Sequence, residues 1–311
     1  MSVYTRVSST QLETFLQNYD LGKLSCFEGI KEGITNTNYH LTTSTGNFVL
    51  TLYEFHAATD LDYILGLQHY LHANGINCAA PVTDLQGRFY SSLNDRPAAI
   101  NNRVCGKVCA LPGVSECEKI GLELARMHLA GSNYEQHRSN PRGLNWCRQA
   151  AAKLESEIPV NDQQLIKSVF NAIDSFTLAG LPVGALHADL FHDNALFDGD
   201  NLGGIIDFDY ACNDIMVYDL AITMNDWCID KSGQLETDRL SALIKSYETV
   251  RLLSNQERSA IPQMLQLAAL RFWLSRLYDK TMPLAGELTF IKDPDQFKNM
   301  LILRIDRKMT F

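Results

Sequence analysis

The hydrophobic pattern of this chain changes period once, and that change limits the folds open to it. Up to about Cys105, apolar side chains alternate with polar ones in short runs such as "NYHLTTST" and "NFVLTLYE". Alternation of this kind marks a strand with one buried face. From Pro112 onward the recurrence lengthens, as in Leu122, Ala125 and Leu129, which is the spacing of a helix with one buried stripe. A chain of 311 residues written this way is expected to be α+β, with a small sheet-bearing lobe at 1–105 and a larger, mainly helical lobe at 106–311.

Within the first lobe, Leu12, Phe15, Leu16 and Tyr19 predict a helix behind the candidate caps Ser8 and Ser9. The runs "LSCFEGI", "NYHLTTST", "NFVLTLYE", "GRFYSSL" and "RPAAINNRV" predict an antiparallel sheet, with a turn at Gly46-Asn47 and one helix from Ala57 to Asn74 closed by Gly75. The second lobe is expected to open on a helix whose capping box is Ser115 and Glu118. Its helices are interrupted by a strand pair, "ALFDGD" and "LGGIIDF".

Composition removes several function classes. A net charge of −9 opposes binding to a phosphate backbone, which needs clustered Lys and Arg, so no nucleic-acid partner is expected. No run reaches membrane-spanning length, and the N-terminus lacks the basic start and apolar block of a signal peptide. No membrane partner and a cytoplasmic location are therefore expected. The eight cysteines form no C-x-x-C pair and read as buried free thiols. No sequence feature specifies an oligomeric state.

The most informative stretch is "GALHADLFHDNALF", Gly184 to Phe197, followed by "GGIIDFDY". Asp189 and Asn194 sit in a segment too short and too polar for regular structure, and Asp207 follows in the second strand of the pair. A hairpin there brings an acid, an amide oxygen and a second acid to one site. A hard cation is held in this way when phosphates and water supply the remaining oxygens, and Mg²⁺ with a nucleotide is the natural occupant. Taken singly, Asp189 and Asn194 read equally well as loop residues bonding their own backbone. Together with His187 and Asp207, they have the spacing of the kinase signature H-x-D-x-x-x-x-N followed by a later Asp.

On these residues, and on "VYTRVSSTQLETFLQNYDLG", "GITNTNYHL", "GIIDFDYACNDIMVYDLAI", "LRFWLSRLYD" and "KDPDQF", the chain resembles the aminoglycoside phosphotransferase and choline kinase-like family over nearly its whole length. Within that family it is most similar to the homoserine kinases. The unrelated homoserine kinases with a Gly/Ser-rich phosphate loop share nothing visible with it, and a Walker A motif is absent. The resemblance implies a two-lobe, protein-kinase-like fold with a nucleotide-binding first lobe and a catalytic, substrate-binding second lobe. It implies ATP and Mg²⁺ as cofactors, held in the interlobe cleft, and L-homoserine as the small-molecule substrate, phosphorylated on its hydroxyl for threonine biosynthesis. Asp189 becomes the general base or hydroxyl-orienting residue, Asn194 and Asp207 the metal ligands, and His187 a structural support. The turn "GITNTNY" becomes the phosphate cover: Gly33 permits close backbone approach, and Thr35, Asn36, Thr37 and Asn38 offer amides and a hydroxyl. Two alternatives stay open: the same chemistry on choline, methylthioribose or an aminoglycoside, and a non-catalytic nucleotide-binding pseudokinase.

The sequence departs from the wider kinase pattern at "FVLTLYE", where Thr51 occupies the position of the phosphate-pairing Lys. The following helix has no Glu to hold such a cation, and Lys31 or Arg103 are the candidate substitutes. For the substrate, Asp209 and Asp214 are candidates for a cationic group, and Arg271 or Arg276 for a carboxylate. Pairing of either arginine with acids of its own lobe is the competing reading. Asp219 is expected to be structural, as a helix cap, and Trp227, Trp273 and Tyr278 to be core.

Overall fold

The computed structural model of the protein describes residues 5–30, 35–282 and 292–306. Contacts divide the chain into two compact units. The first comprises the described residues through Cys105 together with Gly203–Ile206, and the second comprises Gly106–Leu202 and the described residues from Asp207 onward.

The first unit begins with α1 (Ser9–Leu16), where the Ser8 hydroxyl accepts from Gln11 N and the Gln11 side chain returns to Ser8 N. This exchange satisfies N–H groups that the helix itself leaves open. Strands β1 (Leu24–Gly29), β2 (Thr37–Thr43), β3 (Asn47–Leu52), β4 (Ser91–Leu93) and β5 (Arg96–Asn102) form one sheet in the order β1-β2-β3-β5-β4. All neighbours are antiparallel. One face of the sheet shares a core with α1 through Leu12, Phe15, Leu41, Leu50, Leu52 and Ile100. On the other, Tyr53 and Ala99 pack with Leu61 and Leu65 of α2 (Ala58–Ala73), which stops before Gly75 at φ +80°. β4 is shorter than "GRFYSSL" predicts. The buried Asp84 carboxylate draws in the backbone N–H of Gln86 and Arg88 and the Arg88 side chain, so the residues before β4 form a loop.

In the second unit, β6 (Lys107–Val108) precedes α3 (Val114–Gly131), α4 (Leu144–Lys153) and α5 (Val160–Asp174). Then come β7 (Val183–Leu186), a single 3₁₀ turn at His192–Asn194, β8 (Ala195–Asp198), β9 (Asn201–Ile205), whose last three residues count with the first unit, and β10 (Cys212–Ile215). Helices α6 (Met216–Trp227), α7 (Thr237–Glu248), α8 (Asn255–Thr281) and α9 (Asp295–Asp306) complete it. β7 pairs antiparallel with β10, β8 lies between β6 and β9, and the 27-residue α8 packs against α4, α5, α6 and α9. The predicted Ser115–Glu118 capping box is replaced two residues earlier: Gly113 is the N-cap, and Glu116 accepts its N–H at 2.9 Å. Gly121 lets α3 meet α7 closely, since a Cβ there would lie 2.3 Å from the Leu243 carbonyl oxygen. All eight cysteines are free, and Cys26 and Cys105 are exposed where burial was expected, Cys26 because β1 is a sheet edge with little cover. No helix among the described residues is long and apolar enough to cross a membrane.

Candidate active site

β7 ends at Leu186, and the loop that follows is held by three residues of α6. The two oxygens of the Asp219 carboxylate accept His187 N at 2.9 Å and Ala188 N at 2.8 Å. Two turns further along α6, Trp227 donates its indole N–H to the Leu190 carbonyl at 3.0 Å, and Asp226 accepts His192 N at 2.6 Å and contacts His192 Nδ1 at 2.7 Å. Seven residues of helix span about 10.5 Å, so one rigid element reaches both ends of the loop. The expected helix-cap role of Asp219 is therefore corrected: Ile215 is the N-cap, and Asp219 caps the loop instead.

Asp219 is fully buried. Burial alone would raise its carboxyl, but the hydrogen bond from His128, the charges of His128 and His187 and the His187 N–H outweigh it and hold the group below the usual range. His128, also fully buried, contacts Asp219 through Nε2 at 3.1 Å and the Tyr247 hydroxyl through Nδ1 at 2.8 Å. Arg251 donates to the Tyr247 oxygen and pairs with Glu257, which extends the buried polar chain to the start of α8.

Within this frame His187 Nδ1 accepts Asp189 N, and the His187 ring packs against Phe208 at 4.6 Å. Asn194 donates its amide N–H to the Asp189 carbonyl at 2.8 Å, which leaves the amide oxygen as its available acceptor. Arg271, on α8 and almost fully buried, bonds Asp189 Oδ1 at 3.1 Å and lies 4.8 Å from the Tyr210 ring centroid. Burial opposes the Arg271 charge, but Asp189 and the two tyrosines beside it, Tyr218 and Tyr210, raise its pKa overall. Ala188 and Asp207 both have left-handed backbones, at φ +62° and +64°. Non-glycine residues are uncommon there, and such strain concentrates at functional sites. Asp207 is exposed at its surface, yet the protein around it partly desolvates its carboxyl. That desolvation, with the charges of Asp209 and Asp189, pushes its carboxyl well above the ordinary carboxylate range.

In the first unit the turn leading into β2 is anchored by Glu54. The Thr37 hydroxyl, expected to meet phosphate, is fully buried, donates to Glu54 Oε1 at 2.7 Å and accepts Thr5 N. Asn36 accepts Glu54 N, and Arg96 pairs with Glu54 Oε2 at 3.0 Å. Asn38 accepts the Thr51 hydroxyl at 2.8 Å, so a short neutral bond occupies the position of the usual cation. Arg103 is exposed beside Asn47, at the opposite end of β3 from Thr51. Gly33 and Lys31 lie outside the described residues.

The sequence profile of the phosphotransferase enzyme family (APH) matches residues 27–253. A homoserine kinase of Methylobacillus flagellatus is 44% identical over 301 residues, covering 97% of this chain and 94% of its own. The chain belongs to the phosphotransferase enzyme family. Among solved structures, an amicoumacin kinase in complex with AMP-PNP and Ca²⁺ superposes with a TM-score of 0.70 at 17% identity, over 97% of this chain and 93% of its own. A microcompartment-associated aminopropanol kinase gives 0.70 at 15% identity, over 96% and 97%. At those identities the two structures speak for the fold, which is protein-kinase-like.

The other predicted residues of this phosphotransferase have definite partners. Asp214 accepts Asn140 Nδ2 at 2.7 Å and Ile215 N, and burial raises its carboxyl. Arg276 bonds the Asp293 carbonyl and the Gln296 side chain, both at 2.8 Å, beside the start of α9. Asp209 is partly buried, and its carbonyl accepts from Arg138 at 3.1 Å. Trp227 and Trp273 are core, whereas Tyr278 is partly exposed and stands 6.3 Å from Trp146. Among the described residues no group of three or more His, Cys, Asp or Glu side chains could hold a metal ion. Sequence reasoning missed His128, Tyr247, Asp226 and Glu54, which act only through contacts made by folding.

Proposed function

We propose that this phosphotransferase moves the γ-phosphoryl group of ATP to the hydroxyl of L-homoserine, giving O-phospho-L-homoserine and ADP for threonine biosynthesis in the cytoplasm. The observation that carries the acceptor is the near full-length likeness to a homoserine kinase. The chemistry rests on Asp189. A primary alcohol is a poor nucleophile, and a carboxylate that accepts its proton also aligns its oxygen on the phosphorus. The loop bonds from α6 and the Arg271 contact fix where that carboxylate stands.

The donor set suits Mg²⁺: the Asn194 amide oxygen and the Asp207 carboxylate are hard oxygens, and the acids crowded near Asp207 are a charge excess that a divalent cation would relieve. When bound, the ion neutralises the phosphate oxygens during transfer. The first unit is assigned the nucleotide, with Gly33 and the backbone of Thr35, Asn36, Thr37 and Asn38 meeting the phosphates. The second is assigned the acceptor, with Asp209 toward its ammonium and Arg271 beside its hydroxyl. His187 and Asp219 support the loop.

The deciding experiment is coupled ADP release in Mg²⁺ with L-homoserine, choline and an aminoglycoside. Homoserine should lead by about a hundredfold or more in kcat/KM, the discrimination available to a site built to pair polar groups. A preference for choline or the aminoglycoside would remove the acceptor assignment, and no turnover with any alcohol would favour a non-catalytic nucleotide binder.

A further inference from the structure

Arg142 stands out among the cations of the second unit. The segment before it is tied to the stretch that follows Asp207: Arg138 donates to the carbonyls of Asp209 and Ala211 at 3.1 and 2.7 Å, Arg138 N bonds Asn213, and Asn140 bonds Asp214. Arg142 N then bonds the Asn140 side chain at 2.8 Å, so the backbone of Arg142 is fixed from the same stretch. Its guanidinium lies over Trp146, 4.3 Å from the ring centroid, and Trp146 in turn neighbours Tyr278 on α8, the helix that carries Arg271. The Arg142 charge acts on Tyr210 and Asp279, and so does that of Arg271, which reaches Asp189 directly.

Partners separate these cations. Arg271 is engaged by Asp189, Arg276 by Asp293 and Gln296, Arg148 by Asp174, and Arg138 by backbone carbonyls. Among the described residues the Arg142 guanidinium donates no hydrogen bond and forms no ion pair; its side-chain contact is the face of Trp146. It is partly exposed, as are Trp146, Tyr210 and Asp189. A guanidinium laid on an indole has its plane oriented by the ring while its edge of N–H donors stays open, and that edge matches a carboxylate in bidentate fashion.

We infer that Arg142 selects acceptors that carry a carboxylate, pairing with it while Asp189 takes the hydroxyl. The inference rests on the homoserine reading above and adds the residue that would separate an amino-acid alcohol from an amino alcohol. The test compares kcat/KM for L-homoserine and for 3-aminopropan-1-ol, which lacks only the carboxylate, in wild type, Arg142→Gln and Arg142→Lys. In Arg142→Gln the value for homoserine should fall about a hundredfold and that for 3-aminopropan-1-ol far less, so that the selectivity ratio collapses. Arg142→Lys keeps the charge without the fork and should recover part of the ratio. A ratio does not depend on how much of a variant is folded, so partial misfolding leaves it readable. Wild type that uses homoserine, with an unchanged ratio in Arg142→Gln, overturns the role of Arg142 alone. Wild type that uses 3-aminopropan-1-ol as well as homoserine overturns the carboxylate selection and leaves the homoserine reading standing, whereas wild type that uses neither overturns both.

Discussion

The turn at 35–38 and the loop at 187–194 are both short polar segments beside strands, yet they are held from different distances. The turn relies on Glu54, 17 residues from Thr37 and next to the strand that pairs with β2. The loop is held by side chains 31 to 37 residues away on α6, and behind Asp219 stand His128 and Tyr247 from α3 and α7. The difference follows from the work assigned to each. A general base loses its advantage when misplaced by about 1 Å, so its backbone gains from several independent buried bonds. A turn that meets phosphates through backbone N–H groups needs only its curvature kept.

The largest effect expected from this contrast is at the tip of the loop. Asp189→Asn keeps the shape of the side chain and removes the carboxylate, so turnover should fall by about two to four decades while nucleotide affinity is retained. Steady-state ADP release and a nucleotide titration check both halves. Near-normal turnover in the folded variant would take the base assignment away from Asp189.

The next effect concerns the anchor. Asp219→Asn leaves one acceptor where His187 N, Ala188 N and His128 now share two oxygens, and it turns an amide N–H toward another donor. A buried loss of this kind costs about 2–4 kcal/mol, and the melting temperature should drop by about 5–10 °C. The pH dependence has a definite sign. Asp219 is depressed in the folded state, so its stabilisation is full above the ordinary carboxylate pKa of about 3.9 and is lost as pH falls through the lower folded value. Wild type should therefore lose stability across that acid window, and Asp219→Asn should lose less. Melting curves from neutral pH downward decide it, and parallel slopes would show that Asp219 does not contribute to acid lability.

How far the sequence could be read follows the same division. The spacing of Asp189, Asn194 and Asp207 is local, and the structure brings Asn194 onto the Asp189 carbonyl and Asp207 into the field of Asp189. The alternation of β2 and the Ser8 cap of α1 were likewise legible, because neighbours along the chain determine them. What failed was decided by competition in space. Thr37 looked available to phosphate, but a buried carboxylate one strand away takes its hydroxyl. Glu118 looked like a capping residue, but Gly113 admits the chain earlier and Glu116 is then in register. No local pattern marks His128 or Asp226, since their partners lie 91 and 34 residues away.

The smallest effect, and the one that sharpens the comparison most, is at the turn. Glu54→Gln keeps the volume and one acceptor but removes the charge shared among Thr37, Thr5 and Arg96. The Arg96 side chain is 46% exposed, so water replaces much of what it loses, and the stability cost should stay near 1 kcal/mol. Thr37 is fully buried and has no such recourse, and the backbone around it should loosen. KM for ATP should then rise about three- to tenfold with kcat within about twofold, because the base and its loop are untouched. Thr37→Val removes the same bond from the other side and should give the same split between KM and kcat. If either change lowers kcat as deeply as Asp219→Asn does, the turn takes part in aligning the reaction, and the contrast between a backbone cradle and a pinned base fails. If neither moves KM for ATP, the turn does not meet the phosphates, and their neutralisation falls to other groups.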